Sequence, residues 1–159
     1  MTYLFQTMTQ EQAEWIAYHW KYEDEFSFYD MTADPEDLQE FLDEKQRGHS
    51  YFVVYKHHEV LGYFVFNIKE SGIVNIGLGM RPELTGKGEG TRFLQSGMKF
   101  AQTKYSPVKL TLSVAAFNER AIKVYKRAGF EKVSTFIQET NGGSYEFIEM
   151  CFMTDRLVE

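Results

Sequence analysis

The length and composition of the chain predict one globular domain and exclude several classes of protein. Its 159 residues, of which 43% are hydrophobic and 16% aromatic, can fill a single sizeable core, so we predict one domain over residues 1–159. A formal net charge of −6 argues against a general nucleic-acid binder, which needs a basic face. Cys151 is the only cysteine, which excludes an internal disulfide or a multi-cysteine metal site.

The sequence also gives no signal for a membrane or a metal. No run approaches the length of a membrane-spanning helix, and the residues from Gln6 to Glu14 are too polar for a secretion signal. The adjacent His57 and His58 fall in a predicted turn and point in different directions, which argues against a metal ligand pair. We therefore expect a soluble, cytoplasmic protein with no metal, no nucleic-acid partner and no membrane partner.

The hydrophobic periodicity and the turn signals predict alternating strands and helices along the chain. Thr9 and Asp34 are predicted helix caps, and Pro35 suits a first helical turn. Asn141-Gly142-Gly143 predicts the turn of a closing hairpin. The predicted elements are a strand over 4–7, a helix from Thr9 to about 20, a helix from 34 to about 45, strands over 51–55, 60–68 and 73–80, a helix over 88–103, a strand over 109–114, a helix over 119–128, and strands over 132–139 and 146–154.

This order of elements predicts a mixed sheet with a cleft. The strands over 73–80 and 109–114 are joined by a helix, so we expect them to be parallel, with a right-handed crossover. Ligands of such sheets bind beyond the carboxyl ends of the strands. The functional residues are therefore expected near residues 80 and 114, where these two strands end.

The loop over residues 81–90 carries three glycines at alternate positions, Gly86, Gly88 and Gly90, directly before the predicted helix. Glycine lets backbone N–H groups close on an anion, and the helix N-terminus adds partial positive charge. Neither common phosphate motif matches, because Lys87 is followed by Gly88 rather than Ser or Thr, and Thr91 stands where a dinucleotide fingerprint needs glycine. The sequence predicts a phosphate or pyrophosphate cradle, with a ligand-free glycine turn as the alternative.

The segment over residues 118–130 predicts a helix with one apolar face. That face carries Ala121, Val124, Tyr125 and Ala128, and Gly129 ends the helix. Tyr125 therefore points inward, towards the same cleft as the glycine loop. Two structural alternatives stay open at this point: Tyr125 as a core tyrosine with a satisfied hydroxyl, and the preceding asparagine, residue 118, as a simple helix cap.

Together, the glycine loop and the segment Asn118-x-x-Ala121-x-x-x-Tyr125-x-x-x-Gly129-Phe130 resemble the GNAT superfamily of N-acetyltransferases, over residues 73–133. The resemblance implies an α/β (α+β) fold with a mixed central sheet, splayed parallel strands over 73–80 and 109–114, and flanking helices. It implies transfer of an acetyl group from acetyl-CoA to a primary amine of a small molecule or a peptide, with Tyr125 as general acid. The implied acetyl-CoA-binding residues are Leu78, Gly79, Met80, Thr85, Gly86, Lys87, Gly88, Glu89, Gly90, Thr91 and Asn118.

This chain departs from the family pattern in two places. Thr85 stands where arginine or glutamine usually opens the loop, which removes a cation but leaves the backbone cradle. The splayed strands offer Asn75 and Ser113 where several relatives carry a glutamate base. Because an alkylammonium is almost entirely charged at neutral pH, deprotonation must then come from a water chain or from desolvation. A non-catalytic acyl-CoA-binding module is the alternative function.

By the same resemblance, the segment over residues 20–31 forms the wall of the acceptor site. It mixes aromatic residues with Glu23, Asp24, Glu25 and Asp30, a composition that suits a cationic, partly apolar amine. The alternative is an amphipathic loop whose acids are simply solvated. The sequence leaves open whether the protein forms a homodimer. The residues expected to contact the acceptor are Tyr22, Glu25, Phe28 and Tyr29.

Overall fold

The computed structural model describes residues 3–154, which form seven strands and five α-helices. The strands are Leu4–Thr7 (β1), Tyr51–Lys56 (β2), Glu59–Glu70 (β3), Ile73–Met80 (β4), Lys109–Ala115 (β5), Glu131–Thr140 (β6) and Gly143–Met153 (β7). The helices are Gln10–His19 (α1), Pro35–Leu42 (α2), Glu44–Arg47 (α3), Gly90–Tyr105 (α4) and Glu119–Arg127 (α5). Short 3₁₀ turns occupy Asp24–Tyr29, Met31–Ala33 and Pro82–Leu84.

The seven strands form one mixed sheet in the order β1-β2-β3-β4-β5-β7-β6. Strands β4 and β5 are its parallel pair, and they pair only from Ile73 with Lys109 to Asn75 with Thr111. At that last paired position Asn75 Nδ2 donates to Thr111 Oγ1 at 3.0 Å. Beyond it the two strands separate, which confirms the predicted mixed sheet with splayed parallel strands and opens the cleft.

The sheet has helices on both faces because its strands alternate their buried side chains. On β2, Phe52 and Val54 join the core beneath α4 and α5, whereas Val53 joins a second core beneath α1 and α2. Phe93 and Leu94 of α4 are fully buried in the first of these cores. Within residues 3–154, every helix is too short or too polar to span a membrane.

The predicted helix from 34 to about 45 is in fact two helices, because the chain breaks at Asp43. Asp43 has an extended backbone, and its carboxylate accepts from the N–H groups of Lys45 and Gln46, which starts α3. The carbonyls that end α2 find other partners: Arg47 Nη1 donates to Phe41 O at 2.6 Å. Arg47 is only 2% exposed, and its charge lies against the negative end of the α2 dipole. The sequence pattern of α2 and α3 is continuous, so periodicity alone missed the break.

The predicted closing hairpin is present and holds one wall of the molecule together. The turn residue Asn141 connects the hairpin to other elements. Its backbone N–H donates to Asp34 Oδ1 at 3.0 Å, and its Nδ2 donates to Phe28 O at 2.8 Å. These two bonds join the β6–β7 turn to the cap of α2 and to the segment before it. Residues 28–42 are thereby fixed over the sheet face opposite α4.

Candidate active site

A cleft of about 570 Å³ lies where β4 and β5 separate. The glycine loop closes one end, α5 forms one side, and the 3₁₀ turn over Asp24–Tyr29 reaches across from the other. The residues that line it are Tyr22, Phe26, Tyr29, Tyr63, Leu78, Gly79, Met80, Thr85, Gly86, Gly88, Gly90, Thr91, Phe93, Asn118, Glu119, Arg120, Ala121, Lys123, Val124, Tyr125 and Arg127. The structure thus brings the loop, the end of β4 and the helix face together.

The glycine loop has the geometry of an anion cradle. Gly86 and Gly88 have φ values of +74° and +80°, which other residues rarely adopt. No atom lies within 4 Å of where a side chain on Gly88 would begin, so the space over the loop is open. The N–H groups from Gly86 to Arg92 donate to no acceptor in residues 3–154, and they surround the N-terminus of α4. Free donors at a helix N-terminus fit a pyrophosphate.

The carboxylate of Glu89 lies beside this cradle, and Lys56 forms a salt bridge with it. Lys56 Nζ donates to both Glu89 oxygens, at 3.1 and 3.2 Å, and the lysine side chain is only 13% exposed. The pair neutralises a charge that would otherwise repel a phosphate at the start of α4. Glu89 and Lys87 lie outside the residues that line the cleft, and Lys87 is exposed. A role for the Lys87 charge stays a prediction.

The cations of the cleft come instead from α5, which sequence reasoning missed. Arg120 lies over the Phe26 ring, 4.2 Å from its centroid, and its Nη1 is 3.1 Å from where a side chain on Gly86 would begin. Lys123 and Arg127 line the same side. A cation in the first turn of a helix opposes the helix dipole, and that local conflict was the signal that could have found Arg120.

The end of β4 directs towards the cleft those backbone groups that β3 does not pair. The Gly79 carbonyl faces Gly62 of β3, and the Arg81 N–H donates to Leu61 O at 2.9 Å. Because successive residues of a strand face opposite edges, Leu78 and Met80 direct their N–H and C=O groups away from β3. Tyr22 confirms this direction, since its hydroxyl donates to Met80 O at 2.7 Å.

Tyr125 lies on the face of α5 that lines the cleft. Its ring contacts Phe130, but its hydroxyl makes no hydrogen bond within residues 3–154. The satisfied core tyrosine, one of the two interpretations left open by the sequence, is therefore not what the structure contains. Burial is the main cause that raises the pKa of Tyr125 above its ordinary value, and the nearby Tyr29 adds to it. A neutral, proton-bearing hydroxyl faces the cleft.

Asn118 is a helix cap and a cleft residue at once. Its Oδ1 accepts from Ala121 N at 3.1 Å, which caps α5, and the residue is only 9% exposed. Its side chain also interacts with the hydroxyl of Tyr29, which accepts from the Ala115 N–H at 3.3 Å. Burial raises the pKa of Tyr29, while these two hydrogen bonds lower it. The cap of α5 and the end of β5 therefore both contact the hydroxyl of Tyr29, which belongs to the 3₁₀ turn Asp24–Tyr29.

The predicted acceptor wall is only partly where the sequence pattern put it. Tyr22 and Tyr29 line the cleft, and Phe28 packs among aromatic rings on the other side of Tyr29. Glu25 and its neighbours Glu23 and Asp24 are exposed and do not line the cleft. A 3₁₀ turn directs the acids to solvent and the aromatics inward. Within residues 3–154, the only carboxylate that lines the cleft is that of Glu119, in the first turn of α5.

A family model described as the acetyltransferase (GNAT) family matches residues 14–130. The chain belongs to the GNAT acetyltransferase family. A comparison with curated proteins finds no match. Among solved structures, a GNAT-family acetyltransferase from Bacillus anthracis is similar with a TM-score of 0.74 and 15% identity, over 95% of this chain and 94% of that one. The structures confirm the GNAT fold.

Two further similar structures are acetyltransferases with named substrates or ligands. The spermidine N-acetyltransferase from Vibrio cholerae, in complex with CoA and spermine, has a TM-score of 0.67 and 16% identity, with 95% of both chains covered. A putative phosphinothricin N-acetyltransferase has a TM-score of 0.72 and 16% identity, over 98% of this chain and 100% of that chain. At 16% identity these similarities establish the fold of this GNAT protein but do not identify its acceptor substrate.

Proposed function

We propose that this GNAT protein is an N-acetyltransferase that transfers the acetyl group of acetyl-CoA to a primary amine of a small molecule or a peptide. The observation that carries this proposal is the unpartnered hydroxyl of Tyr125, which faces the cleft that the glycine loop closes. Acetyl-CoA supplies the activated acetyl group, as a thioester. The relatives named for spermidine and for phosphinothricin support a small-molecule amine.

The donor end of the cleft binds through backbone groups. The free N–H groups from Gly86 to Arg92 hold the pyrophosphate at the N-terminus of α4, and Arg120 adds a positive charge held over Gly86 by Phe26. The Leu78 and Met80 edge of β4 pairs with the pantetheine arm as an added strand would. In this proposal the Met80 N–H polarises the thioester carbonyl.

Tyr125 Oη holds the proton that the departing thiolate needs. A thiol has an ordinary pKa of about 8.5, so a phenol with a raised pKa donates only to a well-placed thiolate in a dry site. The ammonium of the acceptor passes its proton to water, and desolvation against Tyr22, Tyr29 and Tyr63 favours this loss because it disfavours the charged form. Among the described residues the only carboxylate that lines the cleft is Glu119, on α5. Asn118 keeps Tyr29 and the start of α5 in place.

The test is thiol release from acetyl-CoA with a panel of primary amines, with CoA affinity measured separately by calorimetry. Acetyl transfer to at least one amine, strongly reduced in Tyr125→Phe, is the expected result. The absence of a cleft carboxylate other than Glu119 is the observation that favours the alternative, a non-catalytic acyl-CoA-binding module. CoA binding without transfer to any amine would establish that alternative, and no CoA binding would reject both functions.

A further inference from the structure

A second cavity, of about 360 Å³, adjoins the cleft on the sheet face opposite α4. Tyr29, Tyr63 and Leu78 line both spaces, so a chain-like molecule can extend from one into the other. The second cavity lies beneath α2 and the β6–β7 turn, which the Asn141 hydrogen bonds fix in place. Its lining residues are Phe28, Tyr29, Asp30, Met31, Asp37, Glu40, Phe41, Tyr51, Tyr63, Val65, Asn67, Gly77, Leu78, Gln138, Thr140, Asn141 and Phe147.

The charged residues that line this second cavity are all acidic, whereas the buried Arg47, which bonds Phe41 O and lies near Tyr51, does not line it. Asp30, Asp37 and Glu40 line it, and no lysine, arginine or histidine of the described residues does. Asp30 Oδ1 accepts from the Tyr22 N–H at 2.8 Å, whereas the carboxylates of Asp37 and Glu40 have no ion-pair partner within residues 3–154. Burial raises the pKa of Asp37, and the charges of Asp34, Glu40 and Glu36 raise it further. Excess negative charge therefore gathers at the mouth of the cavity.

The interior of the second cavity also points to a ligand, independently of the acids. Tyr63 stands at the boundary between the two spaces with its ring over Gly79, and its hydroxyl makes no hydrogen bond within residues 3–154. Burial is the main cause that raises the pKa of Tyr63, so the phenol stays neutral and can accept from a donor. Phe28, Tyr51 and Phe147 also line the cavity, and aromatic rings favour a cation beside an apolar chain.

We propose that the acceptor is an aliphatic diamine or oligoamine whose second ammonium binds in this cavity, near Asp37 and Glu40, while its reacting amine lies at the cleft beside Tyr125. The inference rests on the proposed acetyltransferase function and adds the substrate class. The second ammonium would pair with the carboxylates of Asp37 and Glu40. The alkyl chain between the two nitrogens would pack against Tyr29 and Tyr63, which line both spaces. A monoamine has no second positive charge to pair with these two carboxylates.

The experiment compares α,ω-diaminoalkanes of four to six carbons with n-alkylamines of the same length, in thiol release from acetyl-CoA. The diamine is expected to show at least a tenfold higher kcat/KM than the monoamine, and its KM should rise with ionic strength, because exposed charges are screened over about 10 Å at 0.1 M salt. In the double variant Asp37→Asn with Glu40→Gln, the KM for the diamine should rise threefold to tenfold, while the KM for the monoamine stays unchanged.

The matched control is the double variant Glu44→Gln with Glu131→Gln, which removes the same net charge from exposed positions of α3 and β6 that do not line the cavity. This control should retain the diamine preference. Thermal melting of both double variants checks that they fold. Equal kcat/KM for diamines and monoamines, or equal effects of the two double variants, would overturn the inference.

Equilibrium binding of the diamine to the CoA-loaded protein, by calorimetry, separates this inference from the proposed function. Diamine binding that the Asp37→Asn, Glu40→Gln variant weakens, without acetyl transfer, would support the cavity and reject the catalytic function. Acetyl transfer that ignores the second charge would support the function and reject the cavity. The absence of both binding and transfer would reject both.

Discussion

The two halves of the site differ in how they are built. The half proposed to hold acetyl-CoA consists of backbone groups from two continuous segments, the glycine loop with the start of α4, and the end of β4. The half proposed for the acceptor consists of side chains from the 3₁₀ turn, α2, β3 and the β6–β7 turn, which lie far apart in the chain. The first half has a sequence motif, and the second has none.

This difference follows from the ligand that each half would bind. A pyrophosphate needs several N–H donors and positive potential, which glycines before a helix supply wherever they occur. An amine acceptor needs particular side chains at particular distances, and the fold has to assemble them. Variation of the second half changes specificity without disturbing the first, so the two halves should respond to mutation in separate measurements.

The largest expected effect belongs to Tyr125, where the two halves meet. Tyr125→Phe should lower turnover by about 10²-fold or more, the range for loss of a general acid, with little change in CoA affinity or in melting temperature. Steady-state kinetics with a productive amine measure it. Tyr105→Phe is the matched control, since Tyr105 packs on Phe66 away from the cleft. Full turnover in Tyr125→Phe would return this residue to a packing role.

The next effect tests the backbone cradle alone. Gly88→Val should weaken CoA binding by at least tenfold, about 1.4 kcal/mol, because the side chain fills the open space over the loop. Gly142→Val is the control, because Gly142 has nearly the same φ, +77° against +80°, and equally open surroundings in the β6–β7 turn. Calorimetric titration with CoA compares the two. Equal CoA affinity in the two variants would contradict the cradle.

A smaller effect is expected from Arg120, the cation that belongs to the donor half. Arg120→Gln should weaken CoA binding by about fivefold, near 1 kcal/mol, since a charge-assisted contact at the cleft surface is lost. Lys126→Gln, which removes the same charge from an exposed position of α5 outside the cleft, should leave the affinity unchanged. A similar loss of CoA affinity in both variants would mean that the net charge of α5, and not a specific contact of Arg120, causes the effect.

The smallest expected effect concerns the pH profile of kcat/KM, which should show no falling limb below about pH 10. The kcat/KM should rise about tenfold per pH unit on the acidic side, as an amine with a pKa of about 10 loses its proton. A proton on Tyr125 is retained below its pKa, and burial raises that pKa, so the falling limb of the profile should lie above the ordinary phenol value of about 10. Rate measurements from pH 6 to about 10 check this. A fall near pH 8 or 9 would indicate a different acid.

Local sequence signals predicted the mixed sheet, its parallel pair and the glycine loop, because each depends on residues close together in the chain. The spacing of one helix placed Tyr125 on its inward face, and the family resemblance singled out Asn118 just before that helix; their roles stay predictions. Arg120 was not, because its importance depends on Phe26 and Gly86, which reach it from other elements. The break at Asp43 was missed since a buried arginine and a side-chain cap override a continuous helical pattern.

The sequence by itself predicted the family of this GNAT protein, a glycine loop before a helix and an inward tyrosine on α5, since glycine spacing and helical periodicity are local properties. Only the tertiary structure decided which acids line a cavity. Glu23, Asp24 and Glu25 turn to solvent on a 3₁₀ turn, while Asp37 and Glu40 of α2 come to line the second cavity. The reason is physical: the direction of a side chain follows from its own helix, but the surface it faces follows from how that helix packs.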